Sequence, residues 1–304
     1  MELVLKELCS KIEIIQFVGD PKNIVSEMKI LGADILDSSS LFWCSDKNRN
    51  MLIDVSNGTG IISFQTYEFL QSRNLLKKLN WIVVKQPRLT FSIILKLFFI
   101  KKDKFGFIAD SAHIHPTVKL DKTKVIIGHN VVIEQNTTIG DYVQIGANTV
   151  IKNNTKIGNQ VKIGSNNTIG GIGFGYEENE NGEFDLIPHI GNVILSEKVE
   201  IGNNTCIDRA VMGSTILNEN VKVDNLVHIA HGVKIGKNSV IIANAMIAGS
   251  VIIGENVWVS PSSSIIQKVN IGDNSLIGMG SVVIKTVEES IIVAGVPAKK
   301  IKSK

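Results

Sequence analysis

His228 and His231 stand three residues apart in VDNLVHIAHGVKIG (223–236), flanking Ile229 and Ala230. Imidazole is the side chain whose ordinary pKa lets it gain and lose a proton near neutrality, so either histidine could serve as general base for a nucleophile that sheds a proton as it attacks. Asp224 and Asn225 lie just upstream, with the polar groups to orient an imidazole or hold a substrate. The competing reading is a solvated corner histidine, and the residues alone leave both open. A second candidate is the run Gly170, Gly171, Gly173 and Gly175, which invites a phosphate-cradle reading. Such a cradle needs a following helix whose N-terminal amides face the anion, and no helical periodicity follows here. Cys9, Cys44 and Cys206 are scattered without a Cys-x-x-Cys pair, which argues against a disulfide or zinc framework. A reducing, cytoplasmic setting is expected, with no metal.

The elements that must position these residues announce themselves by period. Eight isoleucines from Ile127 to Ile169 stand six residues apart; the phase is lost over 171–192, resumes at Leu195, Ile201 and Ile207, slips near Gly213, and runs unbroken from Leu217 to Val283. Six matches neither a helix at 3.6 nor a lone strand, but it is a multiple of two, and the marked residues are aliphatic and nearly all β-branched. Short strands joined by corners satisfy this pattern if each hexad is one flat side of a coil, with its Ile inward and stacked on the Ile of the next coil about 4.8 Å away. The Gly, Asn and Asp that follow many of these isoleucines suit tight corners at positive φ. A β-solenoid is therefore expected; the period fixes neither the number of sides nor the hand.

These hexads resemble the hexapeptide-repeat acyltransferases, which implies a left-handed parallel β-helix with 18 residues per coil. A more specific likeness lies in IPHIG (187–191), NTCIDRA (204–210), VDNLVHIAHGVKIG and AMIAGS (245–250), with the loop GGIGFGYEENENGEF (170–184). These segments resemble the UDP-3-O-(3-hydroxyacyl)glucosamine N-acyltransferases of lipid A synthesis and relatives that acylate other nucleotide-linked amino sugars. The resemblance puts the catalytic base on His231 and leaves His228 as a neighbour or substrate contact; beside it, Asn225 is expected to support the base and Asp224 to meet the substrate. The residue 18 beyond His231 is Gly249. It should stack one coil above His231 and, as the family's oxyanion donor, present an unobstructed N–H. Phe174, Tyr176 and His189 would wall the acceptor or acyl pocket.

The likeness also has departures. Lys268 stands where the family has a second functional His. The chain closes with IGMGSVVIKTV and IIVAGVPAKKIKSK, which resemble the last coils and tail of sugar acetyltransferases rather than a helical extension that docks acyl carrier protein. Acetyl-CoA is accordingly the expected co-substrate, with Lys268, Lys285, Lys299, Lys300 and Lys302 near its phosphates and no permanently bound cofactor. In the N-terminal third, Phe42, Ser45 and Lys47 fall where the family contacts uridine, though the following Tyr is replaced by Asn48.

With 304 residues, 44% of them hydrophobic, and a net charge of +3, the chain is neither disordered nor built for nucleic acid. The most apolar window, Leu89 to Ile100, is interrupted by Lys96 and falls short of the roughly 20 residues that span a bilayer; it reads as a buried or interfacial helix entered at Pro87. The expected layout is an α/β domain over 1–105, the β-helix over 106–290 with a loop at 171–192, and a tail over 291–304, assembled as a homotrimer with active sites between subunits. The expected activity is transfer of an acyl group, acetyl in the first instance, from CoA to the amine of a nucleotide-linked amino sugar. The alternatives are the lipid A N-acyltransferase itself, using acyl carrier protein, and a non-catalytic solenoid that binds nucleotide sugar.

Overall fold

A computed structural model describes residues 2–76, 79–101 and 103–304. The chain divides into two compact units, one ending at Asp103 and the other spanning Lys104–Lys304.

The first unit is α/β. Its five-stranded sheet runs in the order Gln16–Val18, Asn80–Val84, Thr59–Ser63, Ser40–Trp43 and Glu27–Met28, parallel except for the first pair. Parallel strands are normally covered on both faces, and Leu41, Phe42, Ile61, Ile62, Ile82 and Val83 are all fully enclosed, alternating between two separate apolar clusters. Ser63 ends its strand and caps the helix Phe64–Ser72, its Oγ accepting the Thr66 N–H at 3.1 Å. The apolar window becomes the helix Pro87–Ile94 and a wider-wound turn, Leu95–Phe99, with Pro87 in the first turn and Ile94 in the core. No helix among the described residues is long and apolar enough to cross a membrane.

The second unit is a left-handed parallel β-helix of three faces. The first face carries Ile127, Ile145, Ile163, Ile201 and Val223 inward; the second carries Ile133, Ile151, Ile169, Ile207, Ile229 and Ile247; the third carries Ile139, Ile157, Leu195, Leu217 and Ile235. Register follows the hexads: Ile127 pairs with Ile145 and Ile229 with Ile247, one 18-residue coil apart. The residue two before each marked aliphatic also points inward, as Val125, Val143 and Thr149 do. Several hydroxyls at this position donate to a carbonyl of the next coil, as Thr149 Oγ1 does to the Gly164 carbonyl at 2.8 Å.

Both breaks in phase are insertions at one corner, where the second face turns into the third. Thr168 pairs with Cys206 across the excursion 170–192, and Cys206 pairs with His228 across the smaller bulge at 209–213. The excursion forms a hairpin, Tyr176–Glu178 with Phe184–Leu186, and returns with the Ile190 and Asn192 amides donating to Val211 and Gly213.

Two expectations change. Except at Gly170, where the excursion begins, positive φ does not belong to the glycine that follows an isoleucine but to the third residue after it, such as Asn130, Asn148, Asn166 and Asn238, where asparagine tolerates the left-handed conformation. The glycine after the isoleucine serves close stacking: a Cβ on Gly146 would sit 2.6 Å from the Gly164 backbone. The residues from 291 on are not a separate tail either. Ile291–Ala294 extends the first face in parallel, and Lys299–Ser303 folds back antiparallel to cover its edge.

Candidate active site

His231 lies at the corner between the second and third faces, two residues past the inward Ile229. It is held between two glycines on different stretches of backbone. One coil above, a Cβ on Gly249 would stand 2.7 Å from His231 Cε1 and 2.8 Å from Nε2. On the side of the excursion, a Cβ on Gly173 would stand 3.0 Å from His231 Cβ and Cδ2. Neither position has room for a larger residue while the imidazole keeps its place. The Ala248 and Ser250 amides are taken by the carbonyls of Ile265 and His231, at 3.0 and 2.9 Å, whereas the Gly249 N–H has no partner among the described residues. An imidazole and an unengaged backbone donor are thus one coil apart, an arrangement that suits the general base and oxyanion donor of acyl transfer.

Gly249→Ala isolates this contact, because its backbone conformation is open to any residue. The added methyl displaces the His231 ring. We expect kcat to fall by about 100-fold, as for a misplacement near 1 Å, while the melting temperature moves only a few degrees. An alanine variant with native kcat would show that His231 does not need this position.

His189 packs edge-on to His231, with ring centroids 5.3 Å apart. Burial, and secondarily the charge His189 can carry, hold the His231 pKa below the ordinary imidazole value. His228 is half-exposed on the outer side of the second face, its Nε2 3.6 Å from Asp208 Oδ2. Burial raises the Asp208 pKa, opposed by His228 and His189. Phe174 and Tyr176 pack on each other on the excursion, 5.0 Å between ring centroids, with Phe174 largely exposed. Gly175 between them faces His189.

Asp208, Arg209 and Gly173 are members of this site that the hexad reading did not single out. Arg209 is buried and anchors the root of the excursion, donating from Nε to the Gly170 carbonyl at 2.8 Å and from Nη2 to Asn153 Oδ1 at 2.6 Å. The available signal was IDRA itself: a charged pair directly after an inward isoleucine.

Other expected residues lie elsewhere. Asp224 and Asn225 occupy the preceding corner, between the first and second faces. Asn225 Oδ1 accepts the Asn203 backbone and side-chain amides at 2.7 and 2.9 Å, and Asp224 accepts the Asn225 and Ala243 backbone amides. Neither bonds to a histidine of its own chain, and Asn225 joins neighbouring coils. Lys285 stands in the same file of positions as His231 and Gly249, and Lys268, an exposed corner residue at positive φ, stands in the adjacent file. Lys299 and Lys300, with Lys302, are on the returning strand at the edge of the first face, away from that corner.

In the first unit, Phe42 is fully buried, edge-on to Trp81 at 6.4 Å, and cannot stack on a base. Lys47 is exposed on the short helix Asp46–Leu52. A cavity of about 630 Å³ nearby is lined by Trp43, Ser45, Asp46, Arg88 and Leu89 among others.

The bacterial transferase hexapeptide (six repeats) family matches residues 122–153, 136–171, 214–249 and 250–285. The UDP-3-O-acylglucosamine N-acyltransferase of Campylobacter lari is 40% identical over 243 residues, covering 77% of this chain and 74% of that protein. That of Lawsonia intracellularis is 41% identical over 228 residues, covering 68% and 64%. Among solved structures, a UDP-N-acetylglucosamine acyltransferase of Bacteroides fragilis superposes with a TM-score of 0.58 at 27% identity, over 65% of this chain and 74% of that one. With these relatives the non-catalytic reading falls away: the chain belongs to the UDP-3-O-acylglucosamine N-acyltransferase family of hexapeptide-repeat acyltransferases.

Proposed function

We propose that the protein transfers an acyl group from the thioester of an acyl carrier protein to the amine of UDP-3-O-acylglucosamine. The observation that carries this reading is His231 seated between Gly249 and Gly173, in a chain 40% identical to an enzyme named for that substrate. The neutral amine attacks the thioester carbonyl carbon and the carbonyl electron pair moves onto oxygen, where the Gly249 N–H receives it. His231 Nε2 takes the proton the nitrogen sheds. When the tetrahedral species collapses, the carbon–sulfur bond breaks and the imidazolium returns that proton to the departing thiolate, giving amide and free thiol.

Acetyl-CoA was the expected donor, and two findings weaken it. The relatives are named for the acylglucosamine substrate, and Lys299 and Lys300 lie on the first face, away from the His231 corner. Lys285 and Lys268 do lie along that corner, about 14 and 10 Å above the His231 coil at the usual strand spacing. There they suit the phosphate of a pantetheine arm in either donor.

The test is a donor comparison at matched concentration. We expect a 3-hydroxyacyl chain on acyl carrier protein to give a kcat/KM at least 100-fold above acetyl-CoA. The reverse order would return the assignment to an acetyl-CoA enzyme. The active assembly is proposed to be a homotrimer.

A further inference from the structure

His189 is the most enclosed histidine of the site, 8% exposed. Its Nδ1 lies 2.7 Å from the Ile187 carbonyl oxygen. A carbonyl can only accept, so Nδ1 carries the proton, and in the neutral ring Nε2 is left with a bare lone pair. That Nε2 is buried and has no hydrogen-bond partner. A buried acceptor without a donor is unfavourable and calls for a reason.

The donor within reach is the neighbouring imidazole. A Cβ on Gly173 would lie 2.8 Å from His189 Nε2 and 3.0 Å from His231 Cδ2, so both rings approach the same spot. Their centroids are 5.3 Å apart, and two imidazoles joined end to end by an N–H···N bond of ordinary length have centres about 5.2 Å apart. A half-turn of the His231 ring about its Cβ–Cγ bond exchanges Cδ2 with Nδ1 and brings an N–H to the edge facing His189. The same turn exchanges Cε1 with Nε2, which stand almost equally close to the Gly249 position, at 2.7 and 2.8 Å. The turned ring therefore keeps its outer nitrogen beside the oxyanion donor.

We infer that His189 is the positioning residue for His231, its buried Nε2 accepting the His231 Nδ1–H. This contact fixes the tautomer in which His231 Nε2 is free to take the amine's proton. When that proton arrives, the hydrogen bond to His189, backed by the Ile187 carbonyl, stabilises the imidazolium. The role rests on the reading of His231 as the base. It is distinct from walling a pocket, because it assigns His189 an acceptor atom with one partner.

Two variants and one spectrum decide it. His189→Phe keeps a ring and removes the acceptor; His189→Gln keeps an acceptor near the Nε2 position. Two-bond nitrogen–proton correlation on ¹⁵N-histidine protein, without substrate, reports the His231 tautomer. We expect Nδ1–H on His231 in the wild type and in H189Q, and Nε2–H in H189F. We also expect kcat about 10- to 100-fold lower in H189F, with H189Q within about threefold of wild type. A wild-type His231 protonated on Nε2, an H189F tautomer indistinguishable from wild type, or an H189Q as slow as H189F would overturn the assignment. Should H189F fail to fold, the wild-type spectrum and H189Q still decide. If the wild type acylates no amino sugar, the proposed function falls, while the substrate-free spectrum still judges this contact.

Discussion

His231→Ala lowers kcat by about 10²–10⁴, with the KM for the amino sugar changed by no more than about threefold. Proton removal by a positioned base contributes to the transition state and not to ground-state binding, so its loss appears in kcat. His228→Ala, which removes a half-exposed ring 3.6 Å from Asp208, costs less than tenfold. The same assignment fixes a pH dependence. The base works unprotonated, and burial holds the His231 pKa below that of free imidazole, near 6.5. His231 thus contributes to the wild-type kcat/KM profile an acid-side ionisation below pH 6.5 that H231A loses, while the ionisation of the attacking amine stays in both. Stopped thioester-cleavage assays from pH 5 to 9 measure both effects. A larger loss in H228A than in H231A, with circular dichroism showing both folded, would move the base to His228.

The solenoid was legible because its coil repeats: each inward aliphatic meets another at a fixed spacing, so a single period reports contacts between distant residues. The same repeat, with the 18-residue coil that the family resemblance supplied, placed Gly249 above His231, and the structure sets them there. What the repeat could not show arises where it is interrupted. Gly173 and His189 reach His231 only because the excursion folds back across two coils, and no spacing in sequence encodes that return. Asn225 meets a different limit: a corner asparagine that bonds to the neighbouring coil has the same composition and position as one that binds substrate, and the bond of its Oδ1 to Asn203 is visible only in the fold. Phe42 was misread because its strand is covered on both faces, so Leu41 and Phe42 are equally buried and alternation gives no outward side. The corner glycines were assigned by their tolerance of positive φ, when the tighter constraint on them is distance to the coil above.

Ile145→Asp abolishes folding of the β-helix unit. Ile145 is 2% exposed and lies on the first face, paired in register with Ile127 below and Ile163 above, away from the His231 corner. An aspartate there enters a continuous aliphatic file in which no side chain offers it a hydrogen bond. Burying the carboxylate unpaired, or protonating it to avoid that, costs several kcal/mol, and the isoleucine's own burial is lost as well, about 2–5 kcal/mol by comparison with large-to-small core changes. Domain stabilities are about 5–15 kcal/mol, so the two losses together consume most or all of that margin. In a solenoid the damage also spreads, since each coil is supported only by its neighbours. Ile145→Val provides the control: it keeps the inward branch, should cost about 1 kcal/mol, and should remain folded and active. Soluble yield and a far-ultraviolet circular dichroism melt distinguish the two variants, and an I145D protein with native melting behaviour would mean that this file does not face the interior.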